Sequence, residues 1–279
     1  MGWQERKSRE GQPLTDRGMA AEMRRAAASL RFRLSEYMVQ LGLPAGESFL
    51  SCRHGFELLF TNPRKSVIAR SIFLTGVWEP KVTDFARSWI RPGMVVVDVG
   101  AHVGYYTLLF AQLVGEDGHV FAFEPIPAVN RCLEQSIRLN GFTNVTMFST
   151  ALFDVDGNSP IGRKGKLLQP DAASTKDPII ETKVFDHRRE EWGIGPVDLV
   201  KIDVEGAEMN VLLGMEKCLS DSKPGLLIEV HPQGIWDFGY SPSILLEFLS
   251  ERGYRAQAVD GDTIDFARGN AVIFCEPGN

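Results

Sequence analysis

The stretch VVVDVGAHVGYYT, Val95 to Thr107, decides the fold. Its opening residues are an apolar run broken only by Asp98, the pattern of a strand buried on both faces. Asp98 through Gly104 then turns the chain, and Tyr105 to Val114 reads as a helix. A dinucleotide fingerprint at such a turn is GxGxxG. Here His102 stands two residues after Gly100, so the pattern is DxGxxxG. Gly100 and Gly104 carry no Cβ, which lets the backbone bend sharply and a ligand come close.

Downstream of this turn the alternation is regular. HVFAFE is a strand, and Ala128 to Leu139 a helix stopped by Asn140-Gly141. VTMFSTAL is a strand, residues 154–178 a loop or irregular hairpin, IIETKVF a strand and HRREEW a short helix. DLVKID and GLLIEVH are strands, each followed by a helix, Ala207 to Leu219 and Ser243 to Arg252. YRAQAVD and AVIFCE close the chain with no helix between them. The class is therefore α/β: a doubly wound, mainly parallel sheet covered on both faces, with the last two strands antiparallel at one edge.

Upstream, Arg91-Pro92-Gly93 marks a boundary. Residues 1–92 read as a mostly helical N-terminal extension, and residues 93–279 as the ligand-binding domain. From Thr15 to Leu41, Met23, Ala27, Leu30, Leu34, Tyr37 and Leu41 recur at helical spacing. That helix is expected to pack on its own domain or on a second copy, making a homo-oligomer. GFELLF (Gly55 to Phe60) is a short strand, and Ser66 to Ile90 is helical with breaks at Thr75-Gly76 and Glu79-Pro80.

The net charge of -6 argues against a nucleic-acid partner, which needs a concentrated basic face. Cys52, Cys132, Cys218 and Cys275 show no CxxC spacing and no paired histidines, which excludes the usual zinc arrangements. They read as small buried thiols of a reduced compartment. No run approaches the roughly 18 apolar residues of a membrane helix, and the N-terminus lacks a signal's apolar stretch. A soluble, cytoplasmic protein is expected.

Two further pieces narrow the ligand. Glu124 falls at the tip of the next strand, twenty residues after Gly104, where a carboxylate accepts the hydroxyls of a ribose. In VDLVKIDVEGAEMNVLLGM (Val197 to Met215), Asp203, Glu205 and Glu208 crowd the turn around Gly206. Such a group of carboxylates suits a cationic ligand, although Glu205 and Glu208 equally suit the first turn of a helix. If the Asp98 and Asp203 strands flank the point where strand order reverses, both turns line one cleft.

DVGAHVGYYTL, FAFEP, ALFDVDG and LVKIDVEGAEMNVLLGM together resemble the FkbM family of S-adenosylmethionine-dependent methyltransferases, over half the chain. The resemblance implies a seven-stranded, Rossmann-like class I sheet with a final antiparallel strand. It implies that Asp98, Gly100, His102 and Gly104 wrap the methionine part of S-adenosylmethionine, with Thr107 closing the same stretch. Glu124 would hold the ribose, Ala151 to Asp154 would lie beside the adenine, and Glu79 would reach over the cofactor. His102 stands where the family often has Asn, and VFDHRREEW replaces a commoner leucine-aspartate-aspartate stretch. The family's known work is O-methylation of sugars and polyketide-type metabolites, so a small hydroxylated or glycosylated acceptor is implied.

An alcohol acceptor needs a base. Candidates at strand ends are His231, Asp203 and Glu229, with His231 the best tuned to neutral pH. Lys201 and Glu229 lie in apolar runs, where pairing across neighbouring strands would offset their burial. Trp78, Trp236, Phe238 and Tyr240 are candidate pocket walls. No metal is expected, because the sulfonium carries its own activated methyl. The alternatives are a nicotinamide-dinucleotide oxidoreductase, against which the missing GxGxxG counts, and a non-catalytic S-adenosylmethionine-binding module.

Overall fold

A computed structural model describes residues 42–162, 166–168, 177–261 and 263–278. The helix read at Thr15 to Leu41 and part of the loop at 154–178 lie outside the described residues.

Strand β3 (Val95–Val99) sits in the middle of a seven-stranded sheet. On one side lie β4 (His119–Phe123) and β5 (Val145–Phe148); on the other lie β9 (Leu199–Ile202) and β10 (Gly225–Val230). These five are parallel. β12 (Ala271–Pro277) pairs antiparallel with β10 and with the edge strand β11 (Tyr254–Ala258), as the missing helix between the last two strands predicts. The order is β11-β12-β10-β9-β3-β4-β5, so it reverses between β3 and β9. That is where a doubly wound sheet opens a crevice beyond its carboxyl ends.

Alternation along the strands sorts the core into two layers. Val97 and Val99 join one with Val200, Ile202, Ile228 and the helix Glu208–Leu213. Val96, Leu199 and Leu227 face the other, which holds the helix Tyr105–Val114 and the N-terminal elements. Asp98, Lys201 and Glu229 fall on that second face by the period of two, near the open end of the sheet. Three charged groups therefore meet there as a consequence of register.

The N-terminal elements build a wall on this face. β1 (Ser48–Ser51) and β2 (Glu57–Phe60) form a hairpin, followed by helices α1 (Val67–Thr75) and α2 (Pro80–Trp89). The helix breaks at Gly76 and Glu79 fall where the sequence indicates. The Leu59 amide donates to Ser136 Oγ at 2.9 Å and the Glu57 amide to Asn140 Oδ1 at 2.9 Å, which ties the hairpin to the helix Pro127–Asn140.

Three segments differ from the sequence reading. VTMFSTAL is two strands: β5 ends at Phe148, and β6 (Ala151–Leu152) joins a small separate sheet with β7 (Gly157–Pro160) and β8 (Ile179–Lys183). The helix expected from Ala207 to Leu219 divides into Glu208–Leu213 and Glu216–Asp221. At the break, a Cβ on Gly214 would stand 2.2 Å from the Phe153 carbonyl oxygen, so the second sheet presses directly on the helix junction. A short helix, Pro232–Trp236, started by Pro232, takes in the first residue of WDFGYSP, Trp236 to Pro242. All four cysteines are buried and unpaired. Among the described residues no helix is long and apolar enough to cross a membrane.

Candidate active site

The carboxyl ends of β4, β3, β9 and β10 open into a cleft of 810 Å³, ample for a nucleoside cofactor and a small acceptor. Glu79, Gly100, His102, Glu124, Ala151, Asp203, Glu229 and His231 all line it. Asp98, Gly104 and Thr107 stand behind the lining and shape it. Thr107 Oγ1 donates to Asp98 Oδ2 at 2.6 Å, which locks the helix Tyr105–Val114 to the strand before the turn.

At one end is the β4 tip. Glu124 is almost fully buried, and its two oxygens accept from the amides of His102, at 2.9 Å, and Ile126, at 2.8 Å. Burial raises its pKa from 4.5 to about 7, against the pull of those two amides. Ala151 and Leu152 line the wall next to it, where the resemblance puts an adenine. Asp154 is not in the lining; it accepts from Asn210 Nδ2 at 3.2 Å.

The centre is the junction of the two turns. Lys201 Nζ lies 3.4 Å from Asp98 Oδ1 and 3.5 Å from Asp203 Oδ2, bracing β3 against β9, and it sits over the Tyr106 ring. Burial favours the neutral amine, but Asp98 and Asp203 overcome it and hold the ammonium charged. The direct partners of Lys201 are thus these two aspartates. Glu229, the partner expected from the strand pattern, instead accepts from Asn270 Nδ2 at 3.1 Å. Tyr106 donates to Glu79 Oε2 at 2.7 Å, and burial raises the Glu79 carboxyl.

Glu79, His102 and Glu205 have φ of 40°, 51° and 55°. A non-glycine residue in the left-handed region is strained, and here three such residues line one cleft. His102 is exposed to the cleft at this bend, and desolvation by the atoms around it lowers its pKa, so its imidazole is neutral.

At the other end is His231, just after β10. Its Nδ1 lies 2.7 Å from Oε1 of Glu208, a wholly buried carboxylate that also accepts from the Gly206 amide. Nε2 faces Glu229 Oε1 at 3.5 Å, Glu205 Oε2 at 3.7 Å and Asp203 Oδ1 at 3.9 Å. Burial opposes the charge on His231, yet Glu208 and the other carboxylates outweigh it and raise the pKa to about 9. These carboxylates therefore favour the imidazolium of His231 over the neutral base its residue type suggests. Glu229 is raised by burial and by Asp203.

Of the aromatic candidates only Trp78 lines the cleft. Trp236 is exposed, Phe238 packs edge-on against Phe153, and Tyr240 packs against the core. The helix after His231 carries them away. Sequence reasoning missed the wall from Phe60 to Ile68, which β2 and the start of α1 swing over the cleft, and Asn270, which arrives from the last hairpin.

A buried carboxylate at the β4 tip and an acidic centre two strands away suit a nucleoside whose other end is positive. S-adenosylmethionine is such a nucleoside. The chain belongs to the FkbM methyltransferase family: residues 98–256 match its methyltransferase domain. The nicotinamide alternative falls with that match. The chain is 31% identical over 162 residues to the hexuronic acid methyltransferase AglP of Haloferax volcanii, covering 56% of this chain and 62% of that one. It is 25% identical over 198 residues to the 2-O-methyltransferase NoeI of Sinorhizobium fredii, covering 62% and 79%. The solved FkbM methyltransferase from Methylobacillus flagellatus KT aligns with 74% of this chain and 52% of its own, at 17% identity and a TM-score of 0.45. The chain spans 8% of the AMB antimetabolite synthetase AmbE of Pseudomonas aeruginosa and 58% of Methyltransferase 1 of Beauveria bassiana.

Proposed function

We infer that the protein transfers the methyl group of S-adenosylmethionine to a hydroxyl oxygen of a sugar or a polyketide-type secondary metabolite. The observation that carries this is the cluster of Asp203, Glu229 and His231 at the opposite end of the cleft from Glu124. Three strand spacings separate β4 from β10, roughly 14 Å at about 4.8 Å each, a span that leaves room for an acceptor beyond the sulfonium. The names of AglP and NoeI support a hydroxyl on a sugar-like acceptor.

In this reading Glu124 holds the ribose, His102 and Gly100 bound the methionine end, and Ala151 flanks the adenine. Glu79 closes over the cofactor from α2. The acceptor oxygen lies in line with the S–CH₃ bond, about 3 Å from the methyl carbon. As the O–C bond forms, the S–C bond breaks with its electron pair on sulfur, and the hydroxyl proton passes to the Asp203–Glu229–His231 cluster. Burial makes Glu229 a stronger base than a free carboxylate, and an incoming sulfonium lowers the His231 pKa by like-charge repulsion.

The described part of the N-terminal extension, residues 42–92, caps the cleft, supported by the wall from Phe60 to Ile68 and by Trp78-Glu79. The four unpaired thiols suit a cytoplasmic setting. A homo-oligomer through the segment Thr15 to Leu41 completes the reading.

Calorimetric titration with S-adenosylhomocysteine and with NAD tests the cofactor. Binding of NAD without S-adenosylhomocysteine would sink the proposal. Labelled S-adenosylmethionine offered to a panel of hydroxylated and glycosylated metabolites tests the transfer. Cofactor binding with no acceptor labelled would favour a binding module, and an undiminished rate in His231→Ala would remove that residue from the proton path.

A further inference from the structure

We propose that Asp203, Glu229 and His231 bind one divalent cation at the acceptor end of the cleft. One donor atom from each lies within 4.8 Å of the others. Nε2 of His231 is 3.5 Å from Glu229 Oε1 and 3.9 Å from Asp203 Oδ1. Good hydrogen bonds between such groups span roughly 2.7–3.2 Å, so these separations are too long for direct pairing. A cation about 2.1 Å from each donor sets its ligands about 3.0–3.4 Å apart, so binding draws the three donors together from separations that reach up to 4.8 Å.

A second observation is independent of that spacing. The His231 side chain is only 9% exposed, and its Nδ1 is taken by the buried Glu208 carboxylate. Nε2 is left pointing into the cluster, with no hydrogen bond at it among the described residues. A histidine oriented through one nitrogen by a buried carboxylate has the standard outer support of a metal ligand, and a cation at Nε2 displaces the proton held there. Lys201 does not compete for the position, because it engages Asp203 through Oδ2, whereas Oδ1 faces His231.

The ligands also sit on rigid supports. β9 and β10 are adjacent parallel strands with Ile202 opposite Ile228, which places the residues that follow side by side. A Cβ on Gly206 would stand 2.5 Å from the Gly234 backbone, so the loops after the two strands pack main chain to main chain. One imidazole and two carboxylates, without a thiolate, select a first-row divalent ion such as Mn²⁺ or Zn²⁺ over Cu⁺ or Ca²⁺. Sequence spacing does not reveal the set, because its members come from two strand ends 26 residues apart and from no helical repeat.

The chemical consequence, unlike the binding itself, rests on the methyl-transfer reading. A cation here polarises the acceptor hydroxyl. Its O–H bond breaks, the oxygen takes the methyl carbon, the S–C electron pair stays on sulfur, and the proton leaves to the half-exposed Glu205. His231 then acts as ligand in place of proton acceptor.

The test is titration of the EDTA-treated full chain with Mn²⁺, read by loss of the free-ion electron paramagnetic resonance signal. The expected result is one Mn²⁺ per chain, weakened at least tenfold in His231→Ala and in Glu229→Gln and unchanged in the surface variant Glu134→Gln. Absence of stoichiometric binding, or equal binding in His231→Ala, overturns the proposal. Thermal unfolding of each variant shows whether it is folded, and Glu229→Gln keeps the test open if His231→Ala is not. S-adenosylhomocysteine titrated into the same EDTA-treated protein separates the two readings: its binding without Mn²⁺ binding removes the cation alone. Mn²⁺ binding without it removes the methyltransferase assignment alone.

Discussion

Gly100 lies against the backbone of Asp203 so closely that a Cβ on the glycine would stand 1.9 Å from the Asp203 carbonyl oxygen. The two turns of the cleft are therefore one packed unit, and the glycine after Asp98 serves this contact as well as the ligand. Its φ of 79° adds a conformational requirement. Gly100→Ala is expected to destabilise the protein by at least 2 kcal/mol, and to weaken S-adenosylhomocysteine binding at least 100-fold in whatever remains folded. Thermal unfolding and calorimetric titration read both effects, and an alanine variant with normal affinity would show that the turn is not the cofactor cradle.

Lys201 bridges Asp98 and Asp203 from a buried position. Lys201→Met leaves the fully buried Asp98 facing an uncompensated charge, a loss of about 3–5 kcal/mol. Adding Asp98→Asn removes that charge, so the double variant is expected to be more stable than Lys201→Met alone. Chemical denaturation of the four proteins in the cycle gives the coupling energy, and strict additivity would mean that the pair is not a clamp.

Tyr106 fixes Glu79, whose φ of 40° holds it at the mouth of the cleft. Tyr106→Phe removes the donor and keeps the ring. The expected result is about tenfold weaker S-adenosylhomocysteine binding, with a stability loss of roughly 1–3 kcal/mol. Tyr105→Phe is the matched control, since that hydroxyl meets Thr83 and neither residue lines the cleft. It is expected to lose stability without losing affinity, and equal affinity losses in the two variants would remove the Glu79 role.

What was legible in the sequence was what is local or periodic. The run from Val95 to Val114 is strand, turn and helix in immediate succession, so Gly100, His102 and the buried Asp98 could be placed from neighbours alone. Glu124 follows because β4 pairs with β3 in simple order. The alternation that put Lys201 and Glu229 on one face was readable too, but not their partners: Asp98 arrives across β3, and Asn270 from the final hairpin. His231 was found, yet its bond to Glu208 joins residues 23 apart through two packed loops, and that bond reverses the expected protonation. The break of VTMFSTAL after Phe148 is a tertiary choice: β5 stays paired with β4, while Ala151 pairs with Thr182 of β8.

Glu124 links cofactor binding to pH. It titrates near 4.5 in the unfolded chain and at about 7 in the folded protein, where burial is the main cause. Its surroundings add charges of both signs, with Asp98 raising and Lys201 lowering the value, while His102 contributes an amide. Between those two pH values the folded state keeps a proton that the unfolded state has lost. Stability from this group is thus fully present below about pH 4.5 and falls as pH rises, by roughly 3 kcal/mol once pH 7 is passed. Ribose recognition runs the other way, since the carboxylate accepts the hydroxyls. The cofactor-free protein is expected to lose unfolding temperature from pH 5 to 8, while its affinity for S-adenosylhomocysteine increases over the same range. Glu124→Gln should flatten the difference in both slopes and bind the cofactor at least tenfold more weakly at pH 8. Parallel slopes for the two proteins, measured by thermal unfolding and titration at matched ionic strength, would show that Glu124 titrates like an ordinary surface carboxyl.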